Sequence, residues 1–377
     1  MDHLRTQVYK IEDFKPQAHD SKFVIEGTLG QGGMGTIYDA FDRNIRRKVA
    51  IKSINQGAAQ NSVSRKYFVK EAQITGQLEH PNIIPVYEMG VNPQGLLYYV
   101  MKRVQGLTLA DILDEIKGGS RKYTRKYSLG ALLAIFHKVC DAIAYAHARG
   151  VVHLDLKPEN IMVGDFGEVL ILDWGIARLR RRSPNANSDM FVTLDEAVNL
   201  GDEFENEQVV GTPAFMAPEQ ASGKSKYVGT RSDVYALGAI LYNILTLRPP
   251  ASGKTTTVIL KKIVQGRVID PLSFNEPNNR PEEDQIKLNH LPDGKVPSAV
   301  AKICTKAMNE RLDDRYQTVT ELQDDLNAYF SGYITSAEEG TLFRRIQLYC
   351  LRNKYLIVII FLLILINITI ILLAVIK

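Results

Sequence analysis

The sequence predicts an α+β fold in two unequal lobes, followed by one membrane-spanning helix. Three observations carry that prediction. The 377 residues suffice for two packed units at roughly 100–200 residues each. Residues 23 to about 101 read as short strands around one helix, while from about 105 to 330 the apolar positions recur at helical spacing. Residues 355–376 then run without a single charge.

The small lobe is expected from Phe23–Leu29, Thr36–Phe41, Lys48–Ile54, Ile84–Met89 and Leu96–Met101, which alternate or cluster as strands do. Between the third and fourth, Ser62 to Leu78 has helical spacing, with Phe68, Glu71, Thr75 and Leu78 on one face. The large lobe opens on an apolar stripe, Leu129, Leu132, Leu133, Phe136, Cys140, Ile143 and His147. Cys140 and His147 read there as core residues, not ligands. Ile161–Val163 and Val169–Leu172 form a hairpin, and 232–247, 297–309 and 318–330 give further helices. Residues 1–22 are an N-terminal extension, and 331–354 read as a basic juxtamembrane linker.

Composition excludes several classes. With 45% hydrophobic and 23% charged residues the chain can build a core, so wholesale disorder is out. A net charge of +4 gives no argument for nucleic acid. Three scattered cysteines, Cys140, Cys304 and Cys350, make neither a disulfide framework nor a zinc site, which suits a reducing compartment. Residues 1–22 carry charges throughout, so no secretory signal is expected.

As a helix, Tyr355–Ile376 would reach about 33 Å, enough to cross a hydrocarbon core of ~30 Å. Its polar members, Asn367 and Thr369, read as tolerated side chains. Arg344, Arg345, Arg352 and Lys354 precede the span and Lys377 follows it, so positive-inside bias keeps the lobes in the cytoplasm. The expected location is the cell membrane, single-pass, as a tail anchor or after loss of an outer portion. Cys350 near the membrane reads as an idle thiol rather than an acylation site.

Chemistry concentrates in four segments. Leu29-Gly30-Gln31-Gly32-Gly33-Met34-Gly35-Thr36-Ile37 joins two strand-like runs, and its glycines let backbone N–H groups close over phosphates without a Cβ in the way. A plain glycine-rich hairpin has the same appearance. The dinucleotide-binding version needs a helix directly after the glycines, and a strand follows here instead. Val49-Ala50-Ile51-Lys52 ends on a lysine that alone would only reach solvent. Glu71, on the apolar face of its helix, needs a cation if buried, so Lys52 and Glu71 are read as a pair aimed at phosphates. In Val152-His153-Leu154-Asp155-Leu156-Lys157-Pro158-Glu159-Asn160, the carboxylate, ammonium and amide suit orienting a hydroxyl, neutralising a γ-phosphate and holding a metal ion. Asp173-Trp174-Gly175 ends the hairpin. The literal Asp165-Phe166-Gly167 falls in the hairpin turn and reads as a decoy, since Asp and Gly serve turn geometry there.

Taken in order, these motifs and Ala217-Pro218-Glu219 resemble the protein-kinase family, more narrowly the eukaryotic-like Ser/Thr kinases of bacteria, over about Phe23 to Phe330. The resemblance implies a bilobal protein-kinase fold that transfers the γ-phosphoryl of ATP to protein Ser/Thr hydroxyls, its own included. Mg²⁺ is the implied metal, with Mn²⁺ as an alternative. ATP would meet the loop from Leu29 to Ile37, Lys52 and Glu71, and the Met101–Val104 hinge through Lys102 and Val104. Asp155 would orient or accept the hydroxyl proton, Lys157 steady the γ-phosphate, and Asn160 and Asp173 hold the metal. Thr212, in Gly211–Met216, looks like part of a substrate-docking segment. Asp233 resembles the residue anchoring the catalytic loop, and Glu219 and Arg315 resemble a tethering ion pair. A membrane-helix homodimer would favour autophosphorylation in trans. The competing class is an ATP-binding scaffold without chemistry, although every residue the chemistry needs is present.

Two departures stand out. Leu154 occupies the place of an arginine that would pair with an activation-loop phosphate, so phosphorylation of that loop is not expected to be the on-switch. The connection from Asp173 to Glu219 is long and charged, which reads as a solvated insert. The sharper reading is an autoinhibitory loop autophosphorylated at Ser183, Ser188 or Thr193. The basic run Arg121–Lys126 reads as a solvated loop.

Overall fold

In the computed structural model, residues 22–180, 191–195, 211–276 and 286–376 are described. The small lobe is an antiparallel sheet of β1 (Phe23–Gln31), β2 (Gly35–Asp42), β3 (Arg47–Ile54), β4 (Val86–Val91) and β5 (Leu97–Lys102), in the order β1-β2-β3-β5-β4. Each strand lies within two residues of its expected place. Helix α1 (Ser62–Gln77) starts at Asn61, whose side chain accepts from the N–H groups of Val63 and Ser64. It lays Phe68 and Ala72 against Ile54 and Tyr99, all buried. Burial of a side chain the size of Phe68 stabilises by about 1.5–3 kcal/mol.

The large lobe begins with β6 (Gly106–Thr108) and α2 (Leu109–Lys117), which opens on a reciprocal cap between Thr108 and Asp111. The basic run is not a loop: α3 (Arg121–Lys126) is a short helix. Then come α4 (Leu129–Ala148), β7 (Val151–Val152), β8 (Ile161–Gly164), β9 (Val169–Ile171) and β10 (Arg178–Leu179). After a one-turn helix at Pro218–Ala221, the longer helices of the lobe are α5 (Thr230–Thr246), α6 (Thr256–Val264), α7 (Ser298–Ala307) and α8 (Val319–Phe330). Helix α5 is buried on nearly every side; α4 and α7 pack against it, and α8 packs on α4 and α7, with Leu133, Phe136, Val300, Ile303, Leu322 and Leu326 all in one core.

Two backbone junctions join the lobes, beside side-chain contacts from α1 and the turn after it to the large lobe. One is the chain itself, running from Lys102 to Gly106. At the other, Ile84 N–H donates to Ile171 O (3.1 Å), Ile171 N–H to Asn82 O (2.9 Å), and the Asn82 amide to Val169 O (2.8 Å).

The C-terminal stretch is more ordered than the linker expected from the sequence, because 331–354 contains helix α9 (Leu342–Arg352). Helix α10 (Lys354–Ile376) follows, 23 residues and so about 35 Å at 1.5 Å per residue. Asn367 donates to Leu363 O (2.9 Å) and Thr369 to Leu365 O (2.8 Å), so both polar groups are satisfied within the helix. Helix α4 is long and apolar enough to span a membrane, but it is a core helix of the large lobe.

Candidate active site

A cleft of about 810 Å³ lies between the lobes. Its roof carries Leu29, Ile37 and Ala50, and its floor Met162 and Leu172. Lys102 and Val104 line it where the chain crosses, and Lys52, Glu71, Asn160 and Asp173 line its deep end. Flat apolar walls with polar groups at one end suit a purine joined to phosphates.

The glycine-rich turn between β1 and β2 divides its labour. Gly35 is required by the protein itself, since a Cβ there would sit 2.6 Å from Ser53 O. Gly30 and Gly33 have open space where a Cβ would be. Gln31 and Gly32 are exposed, and Met34 packs on the Ile54–Phe68 cluster instead of lining the cleft. Asn55, which the motif reading missed, clips this turn: its amide donates to Gly32 O (3.0 Å), and its side-chain oxygen accepts from the Thr36 hydroxyl (2.9 Å). Nothing in its sequence neighbourhood marks it, because the contact crosses from the end of β3.

Lys52 donates to both Glu71 oxygens at 2.6 and 2.8 Å. Tyr99 adds its hydroxyl to Glu71 Oε1 at 2.7 Å. Burial pulls the Lys52 pKa down, but Glu71 and then Asp173 outweigh it and hold it above the usual 10.5. Lys52 is therefore a fixed positive charge between two carboxylates. Gly175 makes that possible: a Cβ there would lie 3.0 Å from Asp173 Oδ1 and 3.5 Å from Glu71 Oε2.

The catalytic-loop segment converges on Asp155. Its Oδ1 accepts from Thr212 N–H (2.9 Å), and its Oδ2 lies 3.0 Å from Lys157 Nζ. Lys157 also donates to the Thr212 hydroxyl at 2.6 Å. The Asn160 amide nitrogen is spent on Asp155 O (2.9 Å), which leaves its oxygen as a ligand atom. The loop is held from beneath by Asp233, wholly buried, which accepts from the N–H groups of His153 and Leu154, both at 2.8 Å. His147 pairs with the same carboxylate at 2.7 Å, a tie that its place in an apolar stripe did not reveal. Leu154 is buried, with φ at +67°, in the left-handed region. Its carbonyl accepts from the Gln220 amide (2.9 Å), another residue the motifs passed over. Glu219 and Arg315 form a buried two-pronged pair, both contacts at 2.9 Å.

Asp173 follows β9 in a left-handed conformation (φ +49°), with Oδ1 accepting from Gly175 N–H. Trp174 is fully buried against the His153 ring, 4.5 Å between centroids. Phe166, in the literal Asp165-Phe166-Gly167, is 95% exposed at the β8–β9 turn, and Asp165 touches only the outer rim of the cleft beside Gln105 and Gly106. No cluster of three acidic, His or Cys side chains stands among the described residues. Mg²⁺ asks for less: it keeps several waters and binds through one or two carboxylates plus substrate phosphates. Asn160 and Asp173 at the cleft's deep end fit that requirement.

Of the three phosphosite candidates, Ser183 and Ser188 lie outside the described residues. Thr193 is exposed, and its backbone is bonded to Gln77 of α1.

The profile of the protein kinase domain matches residues 23–325. The chain belongs to the protein kinase family. Among curated relatives, the chain is 37% identical over 310 residues to the serine/threonine-protein kinase PknD of Protochlamydia amoebophila, covering 81% of this chain and 29% of that one. It is 35% identical over 311 residues to the PknD of Chlamydia felis (81% and 30%) and 34% identical over 315 residues to that of Chlamydia pneumoniae (82% and 31%). The chain thus spans about 30% of the length of these relatives.

Proposed function

We propose that this chain is a protein-serine/threonine kinase that transfers the γ-phosphoryl of ATP to protein hydroxyls, with Mg²⁺. The observation that carries the reading is the Asp155–Lys157–Thr212 arrangement, joined by the Asn160 amide's bond to Asp155 O to a cleft that Lys52, Asn160 and Asp173 line. The acceptor hydroxyl oxygen attacks the γ-phosphorus, its proton passes toward Asp155, and the bond to the β,γ-bridging oxygen breaks to release ADP. Lys52 holds the α- and β-phosphates, Lys157 meets the γ-phosphoryl charge, and Thr212 keeps Asp155 in line. Asn160 and Asp173 hold the metal, which when bound neutralises charge on the phosphate oxygens. A catalytically silent scaffold would not require the acceptor-side residues Asp155 and Lys157.

The reading extends to place. Helix α10 serves as a single-pass anchor, and the basic residues before it keep the kinase domain in the cytoplasm. Association through that helix brings two kinase domains together for autophosphorylation in trans, with Ser183, Ser188 and Thr193 as acceptor candidates.

Full-length protein in lipid nanodiscs, with Mg²⁺-ATP and a generic protein acceptor, tests the activity. Phosphoserine or phosphothreonine that disappears in both Asp155→Ala and Asp173→Asn supports it. Incorporation that survives both substitutions, or none in a protein that still binds ATP, overturns it. Retention of the chain in membranes after alkaline carbonate tests the anchor, and release rejects it.

A further inference from the structure

We propose that α9 lies flat in the headgroup layer of an anionic bilayer, with its apolar face at the acyl boundary. The proposal rests on reading α10 as a span, and it assigns a second, separate membrane contact. Thr341 caps α9 by accepting from Arg344 N–H (3.3 Å), so the helix starts at a defined place. Leu342, Phe343, Ile346 and Tyr349 recur at helical spacing on one face. Each is more than half exposed, Leu342 at 75% and Phe343 at 78%. A contiguous exposed apolar face of this kind marks an interaction surface.

Contacts on the other side of the helix fix which way that face points. Arg344 donates to Glu338 Oε1 (3.0 Å), and Arg352 stacks over Tyr333 at 4.1 Å and reaches Gly332 O at 3.4 Å. The polar side of α9 is thus fastened to the 332–338 stretch, which Asp325 of α8 holds through Ser336, and the apolar face is turned away from that stretch.

The occupant follows from what comes next in the chain. Helix α9 meets the following helix at 89°. If that helix crosses a bilayer, one at right angles to it lies in the membrane plane, at the depth where the span begins. An amphipathic helix there buries its apolar face at the headgroup boundary, and its cationic residues favour anionic lipid. Arg345 is exposed, and Lys354 stands at the bend.

The test uses the full chain in nanodiscs of phosphatidylcholine, with and without phosphatidylglycerol. A spin label is placed through Ile346→Cys or Gln347→Cys in a Cys350→Ser background, where the other thiols, Cys140 and Cys304, are buried. The expected result is a label at 346 that is oxygen-accessible and shielded from an aqueous nickel reagent, deeper with phosphatidylglycerol, while 347 stays aqueous. An aqueous label at 346 in both lipids overturns the proposal. Dipolar broadening between labels at 346 also overturns it, because a second copy then covers the face. The pair Phe343→Ser and Ile346→Ser should abolish exchange protection over 342–352 and leave phosphorylation of a soluble acceptor unchanged. Carbonate extraction reads the span separately: retention with an aqueous 346 keeps the anchor and loses this helix, and release with a lipid-depth 346 does the reverse.

Discussion

Gln77 holds Thr193 by both faces of its backbone, donating to the Thr193 carbonyl at 2.7 Å and accepting from its N–H at 3.0 Å. Gln73, one turn earlier on α1, accepts from Asp195 N–H at 3.2 Å. The helix that carries Glu71 is thereby tied to the connection between Asp173 and Glu219. We predict that Gln77→Ala lowers kcat/KM roughly three- to tenfold, since each such bond contributes about 1 kcal/mol. Hydrogen exchange at Thr193 and Asp195 should quicken in parallel. Faster exchange with an unchanged rate would show that the tie does not steer the helix.

Asn55 offers a second prediction, confined to nucleotide binding. Its side chain spans the glycine-rich turn from Gly32 to Thr36, so Asn55→Ala should loosen the phosphate cover. The expected result is a KM for ATP raised about three- to tenfold with kcat little changed, as removal of roughly 1 kcal/mol of uniform binding requires. A fall in kcat alone would contradict it.

The Glu219–Arg315 pair is buried, and Arg315 has further acceptors in Asn309 O (2.6 Å), Arg231 O (3.0 Å) and Glu310 O (3.2 Å). Glu219→Gln leaves that guanidinium buried without its counter-charge. Destabilisation of about 3–5 kcal/mol is expected, read as a shift of the urea midpoint. A shift below about 1 kcal/mol would mean that the carbonyls alone hold Arg315.

Acid should weaken the fold before it reaches the carboxylates. Burial lowers the pKa of His80, His153 and His290 below 6.5. The unfolded chain therefore takes up these protons at higher pH than the folded one. Their contribution to stability is full well above pH 6.5 and is lost as the pH falls through it toward the folded pKa values. Urea midpoints at pH 7.5, 6.5 and 5.5 should show a small loss between the first two and a larger one between the last two, and a flat profile would reject this cause.

Leu154 leads to a prediction about control. Its side chain is buried and its N–H is bonded to Asp233 Oδ1, so no cation stands at this position to receive a phosphate from the connecting loop. Activity before and after phosphatase treatment should agree within about twofold, against the factors of ten that each 1.4 kcal/mol of switching energy gives. Loss on dephosphorylation would place the switch elsewhere.

Most of the fold was legible because its elements obey local rules. Period-two runs gave the strands, and a period-3.6 stripe gave α4. The Lys52–Glu71 pair was readable because a carboxylate on an apolar face demands a cation. Asn55, Gln77, Tyr99, His147 and Gln220 were not readable, since each acts on a partner far along the chain and none breaks a local pattern. Helix α9 does not declare itself in the sequence, because its arginines hide the spacing of Leu342, Ile346 and Tyr349. The run Arg121–Lys126 was taken for a loop for a similar reason, having no apolar face of its own to reveal a helix.

The two junctions between the lobes restrict how the cleft can open. A body fastened at one point can swing in any direction, but one fastened at two turns only about the line through them. The crossing near Lys102–Val104 and the stitches from Asn82 and Ile84 to β9 define such a line. Opening about that line separates Lys52 from Asp173 only if the ties from Gln73 and Gln77 to Asp195 and Thr193 let go, or if the 193–195 segment travels with α1. The Asn82 amide, which touches neither nucleotide nor acceptor, would act as one pivot of that hinge.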